Sequence, residues 1–581
     1  MFKTLLREVR QYKVPALLTP LWTTLEVVMG ILIPYVTALI IDKGLGGGDI
    51  GNVWRYGAVM IGLALLSLLL GILAGGFAAY SSTGLAANLR TAMYANIQRF
   101  SFSDIDKYST AGLVTRMTTD VSNIQNAFQM LLRTSFRAPL NMVSALVMCF
   151  FIHPRLSVVF LIAMVVLTLF LTVLIVRAAK LFQQIFRQYD LVNGVVQENV
   201  SAIRAVKAYV RENQQSSLFD KAVLALYRLN VRAESLMALN HPVMSLVVNG
   251  CIIALSWWGA HFIVDGSLTT GQLTSLLSYV MTILTSLMML SMIFVQLTQS
   301  AASGVRIAQV INEEPDMSNP ADPVLEIPHG GISFQHVYFS YKAGGDYALE
   351  DICLDIKPGE TIGIIGGTGS GKSSLVQLVC RLYDVSEGKV CVGGRDVREY
   401  DLDALRGAVA MVLQQSVLFS GTVLDNLRWG REDATREECE QACRQACADE
   451  FIREMPQGYD TRIEQGGTNV SGGQRQRLCI ARALLRHPKV LILDDATSAV
   501  DTATDARIRE TFASRIPGVT KLIISQRILS VREADRIIVM DDGRVIGFDT
   551  HDNLLKTNDI YREINEMQSG GGQADFDGKQ E

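Results

Sequence analysis

Residues 362–374 read IGIIGGTGSGKSS, an apolar run that breaks into glycines and then into a lysine and two serines. Gly366 is followed, after four residues, by Gly371, Lys372 and Ser373, the spacing of a phosphate-binding loop. Glycines let successive backbone N–H groups wrap phosphate oxygens, Lys372 offsets their charge, and the Ser373 hydroxyl can ligate Mg2+. TIGII supplies the strand before the loop and SSLVQLVCRLY the helix after it. Together they predict an α/β nucleotide-binding domain, placed at residues 331–566.

The rest of the chain is of another kind. At 581 residues it needs at least two domains. Six apolar stretches upstream approach or exceed the roughly 20 residues that a membrane-spanning helix requires: about 16–41, 56–80, 130–152, 156–176, 242–264 and 271–297. Residues 1–320 carry 23 Lys+Arg against 16 Asp+Glu, the remainder 30 against 41, so the halves balance at +7 and −11. No basic surface of the sort that binds nucleic acid is implied for the soluble half. The predicted architecture is an α-helical membrane domain of six transmembrane helices with long cytosolic extensions, fused to an α/β P-loop cassette. Its parts are an interfacial helix at 1–14, the membrane domain at 15–305, a linker at 306–330, the cassette, and a disordered Gly-rich tail at 567–581.

Basic residues cluster in the two long segments between spans, including Arg90, Arg99, Arg116, Arg177, Lys180, Arg187, Arg204, Lys207 and Arg211. The positive-inside tendency then puts the N-terminus, these segments and the cassette in the cytosol, and the chain in the cell (cytoplasmic) membrane. MFKTLLREVRQYK is amphipathic, lacks a small-residue cleavage site, and reads as a helix lying on the membrane surface. All nine cysteines fall in spans or in the cytosolic half, which argues for reduced thiols. Cys439, Cys443 and Cys447 recur every fourth residue, the spacing of one packed helix face. Glu26 lies inside the first span, where a carboxylate is costly. It either attracts a cationic substrate or bonds a neighbouring helix. Pro20 and Pro34 on the same span can kink it, and Met281, Met288, Met289 and Met292 on the last span have pliable side chains that either pack against neighbouring helices or line a cavity for varied apolar ligands.

A second stretch, VSGGQRQRLCIARALL at 470–485, offers Ser471, Gly472 and Gly473 ahead of another helix. It is an anion site without a lysine. Two cradles in one domain serve one nucleotide poorly, unless the second acts on the nucleotide of another copy in a sandwich dimer.

With these motifs in register the chain resembles the ATP-binding cassette transporters of exporter type, over about residues 1–565. The resemblance implies ATP and Mg2+ as ligands. Tyr341 would stack on adenine, and Gly366, Thr368, Gly369, Ser370, Gly371, Lys372, Ser373 and Ser374 would hold the phosphates. Gln414 would be the Q-loop glutamine near Mg2+, and Asp494 would hold Mg2+ through water. Ser471, Gly472, Gly473 and Gln474 would be the signature acting in trans, and Ser498 to Asp501 the D-loop. Bends near Thr118–Asn123 and Ala208–Asn213 would be coupling helices.

Two positions depart from the family. Where the residue after Asp494 is normally glutamate, LILDDATSAVD has Asp495, and where a switch histidine should follow KLIIS there is Gln526. One methylene draws the carboxylate back by roughly 1 Å, against the 2.6 to 3.2 Å reach that a general base needs. An amide cannot carry an imidazole's charge. The expectation is the degenerate-site subunit of a heterodimeric exporter, whose partner is a homologous half-transporter with glutamate and histidine intact. The substrate expected is a small amphipathic, drug-like or peptide molecule. A homodimeric lipid flippase and an ATP-gated channel or regulator are the alternatives.

Overall fold

The computed structural model describes residues 1–342 and 344–574. They form two compact units, Met1–Arg99 with Ser109–Glu313, and Phe100–Tyr108 with the residues from Glu314 onward.

Six helical stretches of the first unit are long and apolar enough to cross a membrane: Arg10–Leu45, Ile50–Ile97, Thr110–Ile152, Pro154–Ser201, Glu212–Val264 and Thr270–Phe294. Each contains or overlaps one expected span. Two helices, Ile50–Ile97 and Pro154–Ser201, run for 48 residues. At 1.5 Å per residue that is roughly 70 Å, about twice the hydrocarbon thickness, so they extend well past any bilayer. Their ends are written in the chain. Asp49 accepts a hydrogen bond from the Gly51 amide, Pro154 stands at the first turn of its helix, and Thr269 with Gln272 makes a capping box ahead of Thr270–Asn312.

Pro20 and Pro34 lie inside the helix Lys13–Leu39 without ending it. Hydroxyls of the last span serve the backbone there: Tyr279 donates to the Ile31 carbonyl at 2.8 Å and Ser275 to the Pro34 carbonyl at 2.5 Å.

Thr118–Asn123 holds no break between helices: Arg116–Asp120 is a π-helical turn through which the path from Thr110 continues into Val121–Leu132. The break falls earlier, on either side of the short helix Phe102–Tyr108. That helix belongs to the second unit, where Tyr383 donates to Asp106 at 2.9 Å and its ring stands 6.0 Å from that of Phe102. The second expected bend does hold a break, at residues 209–211 between the helices Ile203–Ala208 and Glu212–Ala238. The last span's helix continues to Asn312, beyond the boundary at 305.

The second unit contains strands β1 (Ile332–Phe339), β2 (Leu349–Ile356), β3 (Thr361–Gly366), β4 (Glu387–Val392), β5 (Arg395–Asp396), β6 (Val409–Val412), β7 (Gly421–Thr422), β8 (Arg462–Ile463), β9 (Val490–Asp494), β10 (Thr520–Ile524), β11 (Arg536–Asp541) and β12 (Arg544–Asp549). The larger sheet has the order β12-β11-β3-β10-β9-β6, and its strands from β11 to β6 are parallel. Such strands are covered on both faces, which is why TIGII, VLILD and TKLII are almost wholly buried. A smaller antiparallel sheet has the order β2-β1-β4-β5. Cys439, Cys443 and Cys447 are all buried in the cassette core, as one packed face of Arg436–Gln445 and the turn after it. Asp559–Ala574 is a helix, so residues 567–574 are helical where a tail was expected. Residues 575–581 of that expected tail lie outside the described residues.

Candidate functional site

Parallel strands that share a direction end on one edge of their sheet, the usual place for a ligand in such folds. Here β3 ends at Gly366, β9 at Asp494, β10 two residues before Gln526, and β6 two residues before Gln414. Sequence-distant residues are thereby gathered along one line.

The loop after β3 is shaped by glycine where nothing else fits. A Cβ on Gly366 would lie 2.2 Å from the Met540 carbonyl oxygen, and Gly371 has φ +91°. Lys372 opens the helix Lys372–Val379 and turns its ammonium back into the loop, donating to the Gly366 carbonyl at 3.0 Å, the Gly367 carbonyl at 2.5 Å and Ser370 Oγ at 3.3 Å. Thr368 and Gly369 are exposed at the loop tip, while Ser370 and Ser374 are buried. Burial draws the Lys372 pKa down, against the charges of Asp494 and Asp495, which hold it up.

Asp494, 4% exposed, accepts a hydrogen bond from Ser373 Oγ at 3.0 Å. A buried carboxylate paired with a hydroxyl is the oxygen donor set that a hard cation takes, and Mg2+ fits it. Burial raises the Asp494 pKa, the Ser373 bond opposes that rise, and Asp495 adds to it.

Asp495 is held by its backbone. Its amide donates to the Ile524 carbonyl at 3.2 Å, and its own carbonyl accepts from the Ser498 amide and hydroxyl at 3.3 and 2.9 Å. Its φ is +50°, a region that aspartate enters more readily than most residues. Burial raises its pKa, with Arg527 and Lys372 pulling the other way.

Tyr341 brings its hydroxyl within 2.8 Å of Ser374 Oγ, with its ring edge-on to Phe339 and Tyr383 and half exposed. The aromatic candidate and the phosphate loop are thus neighbours. Gln414 is exposed.

Ser471 caps the helix Gly472–Leu484 in a reciprocal box with Gln474: Ser471 Oγ accepts from the Gln474 amide at 3.3 Å, and the Ser471 amide donates to Gln474 Oε1 at 2.9 Å. The first-turn amides of Gly472 and Gly473 have no partner inside their helix, as at any helix start. Asp501 caps Thr502–Arg515 by accepting from the Thr504 amide at 2.9 Å, and that bond lowers its pKa.

Two glutamines escape a sequence reading. Gln476 bridges the helix Gly472–Leu484 to residues 498–499, donating to Ser498 Oγ at 3.3 Å and accepting from the Ala499 amide at 3.1 Å. Gln568, in the supposed tail, donates to the Gln526 carbonyl at 2.8 Å and accepts from the Ile528 amide at 2.8 Å. It brackets the loop after β10. Removing one hydrogen bond costs about 1 kcal/mol. Gln568→Ala should therefore speed exchange of the Ile528 amide about five-fold by hydrogen-exchange mass spectrometry, with β9 and β10 unaffected.

Glu26 has no part in this edge. In the membrane unit it lies 7% exposed, with Oε1 3.2 Å from Arg137 Nη2 and Oε2 3.9 Å from Arg133 Nη2. This geometry is that of an interhelical pairing, one of the two expected roles. Glu26→Gln strands two guanidiniums; each keeps about a third of its surface, so a loss of about 2 kcal/mol is expected rather than the 3–5 of a fully buried pair. A fall in the melting temperature of the detergent-purified protein reads it out, and an unchanged melting curve contradicts the pairing.

Comparison with known proteins agrees with this geometry. Residues 17–287 match the ABC transporter transmembrane region and residues 349–498 match the ABC transporter family. The uncharacterized ABC transporter ATP-binding protein YfiB of Bacillus subtilis (strain 168) is 36% identical over 545 residues, 94% of this chain and 95% of that protein. The mitochondrial potassium channel ATP-binding subunit of Pongo abelii is 34% identical over 467 residues, 79% of this chain and 65% of that one. A bacterial Atm1-family ABC exporter, solved with ATP bound, superposes with a TM-score of 0.81 at 24% identity, over 96% of this chain and 99% of the other. Both family models and a relative matched along nearly its whole length show that this chain belongs to the ATP-binding cassette transporters, with the fold of an Atm1-family exporter.

Proposed function

We propose that this chain is one half of a heterodimeric exporter in the cytoplasmic membrane, with its N-terminus and cassette in the cytosol. Its own Walker residues hold ATP with slow turnover, and its signature completes the hydrolysing site of a partner that carries glutamate and histidine at the altered positions. One observation carries the reading: Asp495 and Gln526, both departures from the family pattern, end adjacent parallel strands on the nucleotide edge, Ile524 pairing with Asp494.

In the mechanism this implies, loop amides and Lys372 bind the phosphates and the Tyr341 ring packs against the base. Ser373 and Asp494 would hold Mg2+, which when bound neutralises phosphate charge. Asp495 must orient water and accept its proton. Its pinned backbone and short side chain withhold the carboxylate from that position, so ATP is retained and the closed sandwich persists. Closure shifts the spans between inward-open and outward-open states, and the energy for it comes from ATP binding. A small amphipathic, drug-like or peptide molecule is the cargo.

The test compares ATP turnover of the chain purified alone with that of the chain co-purified with a partner half-transporter. Turnover that is slow alone and at least about ten-fold faster together supports the reading. Brisk hydrolysis by the chain alone ends it.

A further inference from the structure

The exposed face of the four-stranded sheet carries a group that the nucleotide chemistry does not use. His336 on β1 and Asp351 and Cys353 on β2 bring Nδ1, a carboxylate oxygen and Sγ together. Cys353 is the one exposed thiol among the nine described cysteines.

The backbone is bent to make this arrangement. Phe334 pairs with Leu354 and Val337 with Ile352, so Gln335 and His336 stand opposite Cys353 alone; Phe339 then pairs with Leu349, so Glu350 and Asp351 stand opposite Tyr338. Two opposed β-bulges result, one on each strand, and bulges characteristically re-aim side chains. His336 and Asp351 sit at φ +48° and +47°, an unfavourable region for residues with a Cβ. On β4, Gly388 makes room for the first bulge, since a Cβ there would lie 2.2 Å from the His336 carbonyl oxygen.

The three donor atoms form a triangle of 2.7 Å (Nδ1 to Oδ1), 3.5 Å (Nδ1 to Sγ) and 4.0 Å (Oδ1 to Sγ). For these sides the in-plane point equidistant from all three lies about 2.0 Å from each, and a four-coordinate cation standing off that plane lies slightly farther, in the range of zinc–nitrogen, zinc–oxygen and zinc–sulfur lengths. Nitrogen, sulfur and oxygen donors together suit a borderline-soft cation and suit Mg2+ or Ca2+ poorly. All three residues are exposed, which leaves a fourth position open to water.

We propose that His336, Asp351 and Cys353 form a three-ligand surface site for Zn2+ or a similar divalent transition metal, built by the paired bulges of β1 and β2. Binding requires the thiolate, so it releases a proton and strengthens with rising pH.

The experiment uses the untagged full-length chain in detergent, stripped with chelator and titrated with Co2+ and then Zn2+. The proposal expects one equivalent of Co2+ with a thiolate-to-cobalt charge-transfer band that Zn2+ displaces. It expects that band to vanish in Cys353→Ser, and Co2+ affinity to fall at least about ten-fold in His336→Ala. It also expects Zn2+ to protect one thiol of the native protein from an alkylating reagent. Absence of the band in the native chain, or its persistence in Cys353→Ser, overturns the site. Circular dichroism of the metal-free variants matching that of the native chain shows that the loss is of a ligand and not of the fold; a variant that has lost its fold is replaced by Asp351→Asn, which must weaken Co2+ likewise or the proposal fails.

Discussion

Replacing Asp495 by glutamate in the chain purified alone raises kcat for ATP on the order of 100-fold, while KM for ATP moves by less than about two-fold. The size follows from reach. A misplacement of about 1 Å at a reacting group costs about two orders of magnitude, and one methylene restores that distance. The backbone cannot supply the same movement, because the residue is tied by its amide to β10 and by its carbonyl to Ser498. A change in kcat at constant KM marks an interaction made in the transition state and not in the bound ground state. A smaller cost opposes the gain. Glutamate accepts φ +50° less readily than aspartate, so the variant should melt slightly lower. Adding Gln526→His supplies a group able to carry charge near the γ-phosphate, and turnover should rise further. Gln568 holds this loop by backbone groups, so the new side chain need not disturb it. If glutamate leaves kcat unchanged, the short carboxylate is not what limits hydrolysis and the degenerate-site reading fails.

The membrane half was legible in outline because roughly 20 apolar residues in succession have few other uses. Helix ends and partners were less so. The helical path runs from Thr110 to Leu132 through a π-helical turn at Arg116–Asp120, while the breaks lie on either side of Phe102–Tyr108, where Ser101 with Asp104 and Ser109 cap helix starts; the expected bend fell one element too late. Glu26 showed its cost but not its partners, since Arg133 and Arg137 lie more than a hundred residues away. In the cassette, the glycine loop after β3 and the capped helix start at Ser471 could be read because backbone geometry restricts which residues fit. Gln568 could not, because a glutamine among SGGGQ carries no sign of the backbone that it will bond. His336 was hidden for a related reason. Alternation in strands predicts faces only where pairing is regular, and the paired bulges break that rule at the residues that form the metal-ligand triangle.

Gly473→Ala should abolish transport by the assembled exporter and cut its ATP turnover by at least about 100-fold, yet leave ATP bound at this chain's own Walker loop. The argument is steric. A Cβ at position 473 would stand 2.8 Å from the Ala499 carbonyl oxygen, and that oxygen is backbone, with little freedom to withdraw. Ala499 is itself tied to the signature helix, its amide donating to Gln476, whose other end reaches Ser498. One methyl group therefore pushes residues 498–501 and the start of the helix Gly472–Leu484 apart, and in the proposed heterodimer both segments would face the partner's nucleotide. The bonds of Lys372, Ser373 and Asp494 run within the phosphate loop and to one another, so binding at this chain's own site should persist. Photolabelling with an ATP analogue separates the two sites: label should remain on this chain while hydrolysis by the pair is lost. Glycine in the signature is then needed for the other subunit's chemistry. Loss of label from this chain, with the partner still turning over, would reverse the assignment of the two sites.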